Sequence, residues 1–133
     1  MAWRPELSLW VEGRPRPQPR ARAARNGHFY TPKNGAEWRE AIYTAAAAEW
    51  GGKPPLVGPL YTSIAFVMPG GEAGKPHAIR PDKDNLEKSV LDALTRAGVW
   101  KDDGQVSGGE TLKAWGGKKT GGVKITVAVW CED

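Results

Sequence analysis

Arg80-Pro81-Asp82-Lys83-Asp84-Asn85-Leu86-Glu87-Lys88-Ser89-Val90-Leu91-Asp92-Ala93-Leu94-Thr95-Arg96-Ala97-Gly98-Val99-Trp100-Lys101-Asp102-Asp103-Gly104-Gln105-Val106 holds most of what the chain discloses about fold and chemistry. Leu86, Val90, Ala93, Leu94 and Ala97 recur at helical spacing and form one apolar stripe. The spacing predicts a helix from about Asp84 to Ala97, closed by Gly98 where a C′ glycine ends helices. Asp84 and Lys88 lie one turn apart and project away from the centre of that stripe.

Outward from this helix the period changes to two. Upstream, Tyr61 to Met68 reads as a strand with Ile64, Phe66 and Met68 on one face, followed by a Gly- and Pro-rich loop from Pro69 to Pro76. Downstream, Gln105 to Trp115 and Val123 to Trp130 read as two antiparallel strands joined by a flexible basic hairpin loop, Gly116 to Gly122. Toward the N-terminus, Leu7 to Gly13 reads as a first strand. Arg14 to Arg22 contains Pro15, Pro17 and Pro19, which remove backbone donors and fix φ, so it is expected to be an extended loop. His28 to Thr31 could be a short strand. A helix of roughly 14 residues from Ala36 follows from Trp38, Ala41, Ile42, Ala45 and Glu49, with Gly51 and Gly52 as its stop. The order strand, helix, strand, helix, strand, strand predicts an α/β chain of α+β two-layer type: one mixed sheet with two main helices on one face.

The length, 133 residues, suits one domain spanning residues 1–133. With 40% hydrophobic and 26% charged residues, the composition is neither that of a disordered chain nor that of a membrane protein. The apolar run around Ala41 to Ala48 is too short to span a bilayer, and Met-Ala-Trp-Arg-Pro-Glu has no apolar segment of signal-peptide type. Cys131 is the sole cysteine, which rules out an intramolecular disulfide and a thiolate zinc site. A cytoplasmic setting is the expectation.

Charge is unevenly spread. Arg14, Arg16, Arg20, Arg22 and Arg25 form a run with no acid, and Lys118 and Lys119 sit in the basic loop, so these seven are the candidate contacts to a polyanionic partner, of which DNA is one. Between Asp82 and Asp103 six acids face four bases, while the chain as a whole has 19 bases and 15 acids, leaving a net +6 around a local −2. A basic protein with one acidic island suits a metal-dependent enzyme acting on a phosphate backbone, but a solvated helix face has the same signature.

Asp82 and Asp84 stand two apart where a loop enters a helix, so extended backbone can turn both carboxylates to one side. Mg²⁺ takes hard oxygen ligands, usually one or two carboxylates plus water and phosphate. Asp103, returning after the helix, would complete a three-acid cluster for one or two ions, and Lys88 could reach the scissile phosphate or the attacking water. Bland readings stand beside these. Asp84 with Glu87 has the form of a capping box, Asp102-Asp103-Gly104 has turn chemistry, and Lys88 could simply be solvated. An EF-hand is disfavoured because Leu86 occupies a ligand position and the required glycine is absent. His28 and His77 have no partner at ligand spacing and read as ordinary surface or loop histidines.

The run Asp82-x-Asp84-Asn85-Leu86-x-Lys88, continuing through Leu91 to Leu94 and Gly98-Val99-Trp100 to Asp102-Asp103-x-Gln105-Val106, resembles the signature of the RusA family of Holliday-junction resolvases. The likeness extends more loosely to Gly13-x-Pro15, the arginine-rich loop, Phe29 to Pro32 and the alanine-rich helix. It implies metal binding by Asp82, Asp84 and Asp103, a catalytic role for Lys88, and supporting roles for Asn85 and Asp102. It further implies Mg²⁺ as cofactor, with Mn²⁺ able to substitute, and a RusA-like homodimer that nicks four-way junction DNA symmetrically. The chain departs from the pattern between Gly70 and Ile79, where no aromatic residue stands that could wedge between bases. Two other functions compete: flap or fork cleavage by the same site, and non-catalytic binding of single-stranded or branched nucleic acid through the seven tryptophans. Against the second, Trp38, Trp50, Trp100 and Trp130 fall in or at the ends of regular elements, where core packing is expected.

Overall fold

The computed structural model describes residues 2–18, 22–23, 27, 29–30 and 35–132. Its regular elements are β1 (Ala2–Glu12), β2 (Arg22–Ala23), β3 (Phe29–Tyr30), α1 (Ala36–Trp50), β4 (Leu60–Met68), α2 (Lys83–Arg96), β5 (Val106–Trp115) and β6 (Gly122–Cys131). A single 3-10 turn, Asp103–Gln105, precedes β5. Strands β1, β6, β4 and β5 lie side by side in that order, and β2 pairs with β3 as a separate two-stranded ladder. Only the β4–β5 pair is parallel; β6 runs antiparallel to both of its neighbours. The expected mixed sheet with two helices is what forms.

Alternation along the strands divides the sheet into two unlike faces. Leu7, Leu9 and Val11 of β1 stand opposite Val127, Ile125 and Val123 of β6, and Leu60, Ile64 and Phe66 of β4 continue this face. Trp38, Ile42, Ala46 and Trp50 of α1 and Leu86, Val90 and Leu94 of α2 close over it in one buried cluster. The α2 stripe read from the sequence is therefore the stripe that packs. Trp38, Trp50 and Trp100 are buried as expected. Trp130 is not: it is half-exposed on the opposite, open face, where Trp3 packs against both Trp130 and Tyr61 with ring centroids 5.1 and 5.4 Å away.

Three expectations need correction. β1 begins at Ala2, not Leu7, because an edge strand tolerates Pro5 and a bulge between Pro5 and Leu7 restores the register. Arg22 opens strand β2 instead of ending the arginine loop. Most importantly, β5 and β6 run antiparallel but do not form a hairpin, because β4 lies between them. The glycine-rich connection arches over the end of β4: Gly116 N–H donates to the Met68 carbonyl at 2.7 Å, and Gly13 N–H donates to Gly121 O at 3.1 Å. A Cβ on Gly116 would stand 2.5 Å from Val67 Cγ1, and one on Gly121 would stand 2.6 Å from Val67 O. These glycines permit close passage over a neighbouring strand. Among the described residues no helix is long and apolar enough to cross a membrane.

Gly121 also has φ +100°, so Gly121→Ala combines backbone strain with a clash against main chain. We expect it to lower stability by about 1–3 kcal/mol, read as an earlier urea midpoint. An unchanged midpoint would mean that the loop lifts off β4 at no cost.

Candidate active site

Asp82 is the N-cap of α2, extended at φ −69° and ψ 144°, and its side chain makes no capping hydrogen bond. Asp84 follows in the first turn, where Oδ1 accepts the Asn85 N–H at 3.0 Å. The alternative capping box of Asp84 with Glu87 does not form: Asp82, not Asp84, is the N-cap, and Glu87 accepts the Thr111 hydroxyl of β5 at 2.6 Å. Both Asp82 and Asp84 are exposed at a helix N-terminus, where the macrodipole favours negative charge.

The proline-spaced segment is pinned against this end of α2. Gln18 N–H donates to Asn85 O at 3.1 Å, and the buried Ser89 hydroxyl donates to Arg16 O at 3.3 Å. Arg14 and Arg16 are thereby held on one wall of a cleft of about 520 Å³ whose other walls include Arg80, Asp82, Asn85, His77 and Trp115. Three arginines and a carboxylate at a helix N-terminus can receive a phosphate and a cation side by side.

The remaining expected residues divide. Lys88 lies on the surface of α2, with its ammonium 3.8 Å from Asp92 Oδ1 in a loose pair one turn on. Lys118 and Lys119 are exposed and line a different hollow with Trp10, Glu12 and Gly74, separated from the cleft by Trp115. Arg20, Arg25 and His28 lie outside the described residues.

Asp102 and Asp103 stand at the far end of α2. Asp102 has the turn role: Oδ1 accepts the Gly104 N–H at 2.8 Å, and Gln105 Oε1 completes a capping box by accepting the Lys101 and Asp102 N–H groups. Asp103 borders a hollow with Asp92, Thr95 and Arg96 of the last turns of α2. Its neighbour Asp92 follows Asp84 by eight residues, about 12 Å along the helix axis. Among the described residues no group of three or more His, Cys, Asp or Glu side chains is gathered to hold a metal. The expected three-acid cluster is thus not assembled among the described residues: Asp82 and Asp84 stand at the N-terminal end of α2, and Asp103 lies beside its C-terminal turns.

Sequence reading missed four residues here. Arg80 adjoins the acidic motif and could have been taken with it. Lys113 occupies an inward position of β5 opposite Phe66, an anomaly in a strand that alternates, and its ammonium donates to Ile79 O and Pro81 O, both at 2.8 Å. Trp115 ends β5 as a wall of the cleft. His77, read as an ordinary surface or loop histidine, lies in a loop but is only 5% exposed and packs on Trp115 with centroids 4.3 Å apart, its Nδ1 sealed without a partner. Burial, then the nearby Lys113 charge, hold its pKa below the ordinary 6.5.

A family model described as "Endodeoxyribonuclease RusA" matches residues 12–128. Crossover junction endodeoxyribonuclease RusA of Escherichia coli (strain K12) is 54% identical over 35 residues, 26% of this chain and 29% of that protein. Proteins of the same name from Shigella sonnei (strain Ss046) and Enterobacteria phage 82 match with the same identity and coverage. The aligned stretch therefore spans less than a third of the length of these relatives.

His77 sets a pH dependence. A histidine with a depressed folded pKa contributes stability that is present above about 6.5 and is lost as pH falls through the folded value, because the unfolded chain takes up the proton first. Urea unfolding at pH 7.5 and pH 5 should show a steeper acid loss for the wild type than for His77→Gln. Parallel curves would mean that the imidazole is solvated in the folded state.

Proposed function

Because the chain belongs to the RusA endodeoxyribonuclease family, whose pattern it matches from residue 12 to 128, we propose that it hydrolyses phosphodiester bonds in four-way DNA junctions. The observation that carries this reading is the exposed carboxylate of Asp82, which makes no capping bond, in a cleft walled by Arg14, Arg16 and Arg80, with the exposed Asp84 two residues on in the first turn of α2. Two hard carboxylates beside a phosphate-binding wall fit Mg²⁺, which takes few protein ligands and completes its shell with water and substrate; Mn²⁺ accepts the same donors. When bound, such an ion polarises the phosphoryl group and activates water.

The protein groups divide the remaining work. Arg14, Arg16 and Arg80 hold the backbone without reading bases. Lys88, loosely paired with Asp92, is free to swing its ammonium toward the charge that develops on the phosphoryl oxygens. Asn85 braces the turn through its carbonyl contact with Gln18. Asp102 supports the site indirectly, by shaping the turn that carries Asp103.

Asp103 reaches this chemistry from a second copy. A two-fold pair that lays two α2 helices side by side and antiparallel brings the Asp103 of each copy to the Asp82 and Asp84 of the other. The same operation gives two symmetry-related sites, which paired nicking of a junction requires and which the commonest oligomer provides. A DNA substrate and a cytoplasmic setting belong to the same reading.

The deciding assay compares a synthetic four-way junction with linear duplex, flap and fork DNA, with Mg²⁺ or with chelator. Paired, metal-dependent nicks in the junction support the reading. Faster cutting of flaps or forks would reassign the substrate, and binding without cutting in any metal would leave a binding module. Asp84→Asn should abolish cutting while junction affinity holds, since no positive charge is lost.

Mixing Asp84→Asn chains with Asp103→Asn chains tests the pairing. If acids are shared between copies, half of the sites in a mixed dimer are intact and single-strand nicking returns. A mixture as inactive as its components would show that Asp103 acts within its own chain, and an active Asp103→Asn component would show that it has no part in cutting.

A further inference from the structure

Five large hydrophobic side chains are conspicuously exposed among the described residues: Trp3, Trp10, Val57, Ile79 and Leu112. Trp3, Trp10 and Leu112 belong to the strands of the sheet, and Val57 precedes β4. Ile79 alone among them lines the cleft that holds Arg14, Arg16, Arg80 and Asp82, and it is 62% exposed there. An apolar side chain left in water in a cationic cleft has no part in docking phosphates and no core to fill.

Its main chain is fixed with unusual care for a loop. The Lys113 ammonium bonds the carbonyls of Ile79 and Pro81, on both sides of Arg80, at 2.8 Å each. The preceding residues are stitched to the edge of β5: His77 N–H donates to Lys113 O at 3.2 Å, and Trp115 N–H donates to Lys75 O at 2.9 Å. The side chain itself is β-branched and stiff at χ1, so it loses little freedom on insertion. Apolar residues of this kind enter between base steps in proteins that unstack and bend DNA.

We propose that Ile79 is the base-contacting wedge of this protein, the specificity-determining side chain that enters the stack beside the phosphate held in the cleft, with Lys113 as the positioning residue behind it. The inference rests on the junction-cleaving reading above and supplies what the stretch from Gly70 to Ile79 lacks in aromatic residues. An aliphatic wedge needs no ring if its arm is rigid.

The test uses the full-length chain, a four-way junction carrying 2-aminopurine beside the crossover, and chelator to hold the complex uncut. Wild-type binding should raise the fluorescence, and Ile79→Ser should remove most of that rise. Affinity should change by less than about threefold and the salt slope should not change, because an uncharged side chain releases no counterion. In Mg²⁺, Ile79→Ser should cut the fully paired junction about tenfold more slowly, as lost unstacking energy requires, and recover on a junction mismatched at the crossover. Ile79→Leu should behave as wild type. Lys113→Met, checked for an intact melting transition, should show a milder form of the same defect with the same rescue.

Wild-type behaviour of Ile79→Ser on the paired junction, or a deficit that persists on the mismatched one, would overturn the wedge. Wild-type behaviour of Lys113→Met would overturn the positioning role. Failure of the wild-type protein to cut any junction would instead sink the proposed function, so the two failures are distinct.

Discussion

The parallel pairing of β4 with β5 is the constraint from which the rest follows. A parallel neighbour cannot be reached through a tight turn, so the chain has to travel back along the sheet before starting the second strand, and α2 is that return. Its N-terminus consequently lies near Met68 and Trp115, where β4 and β5 end, while its C-terminus lies near Leu60 and Val106, where they begin. Every residue of the motif inherits its place from this path. Asp82 and Asp84 fall at the end with the arginines, and Asp103 falls at the other.

Periodicity carried the individual elements well. The α2 stripe and the alternation of β4 and β6 each reflect burial on one side, and burial is what periodicity reports. Neighbour relations were another matter. A seven-residue loop between two alternating strands reads as a hairpin, because nothing in Gly116 to Gly122 says that a third strand passes beneath it. The glycines were visible and their reason was not: Gly116 and Gly121 answer to Val67, 49 and 54 residues earlier. The start of β1 was hidden for a related cause, since Pro5 and the bulge beside it break the alternation although the edge strand continues.

The site was legible in composition and misleading in assembly. Residue types and spacing singled out Asp82, Asp84 and Lys88, and local competition then resolved in ways that spacing alone cannot decide. Glu87 could have reached back to cap α2 but bonds Thr111 instead, while Asp102 does what its turn sequence suggests. His77 was unreadable because its burial depends on Trp115, from an element not adjacent in sequence. Lys113 was readable in principle: a lysine at an inward position of an alternating strand has to find acceptors, and the carbonyls of residues 79 and 81 are where it finds them.

The acidic island of the sequence is, in space, two half-islands, and electrostatics gives a reason for the division. Three carboxylates converging on an empty site repel one another, and nothing offsets that until a cation arrives. Two carboxylates at a helix N-terminus repel one another less than three would, and the partial positive charge of the helix end offsets part of that repulsion. The third stands apart from them, in a hollow that holds Arg96 and Lys101 but also Asp92 and Asp102. On the shared-site reading, the repulsive geometry forms only when two copies, substrate and ion come together, so that the full ligand set exists only where two strands can be cut together.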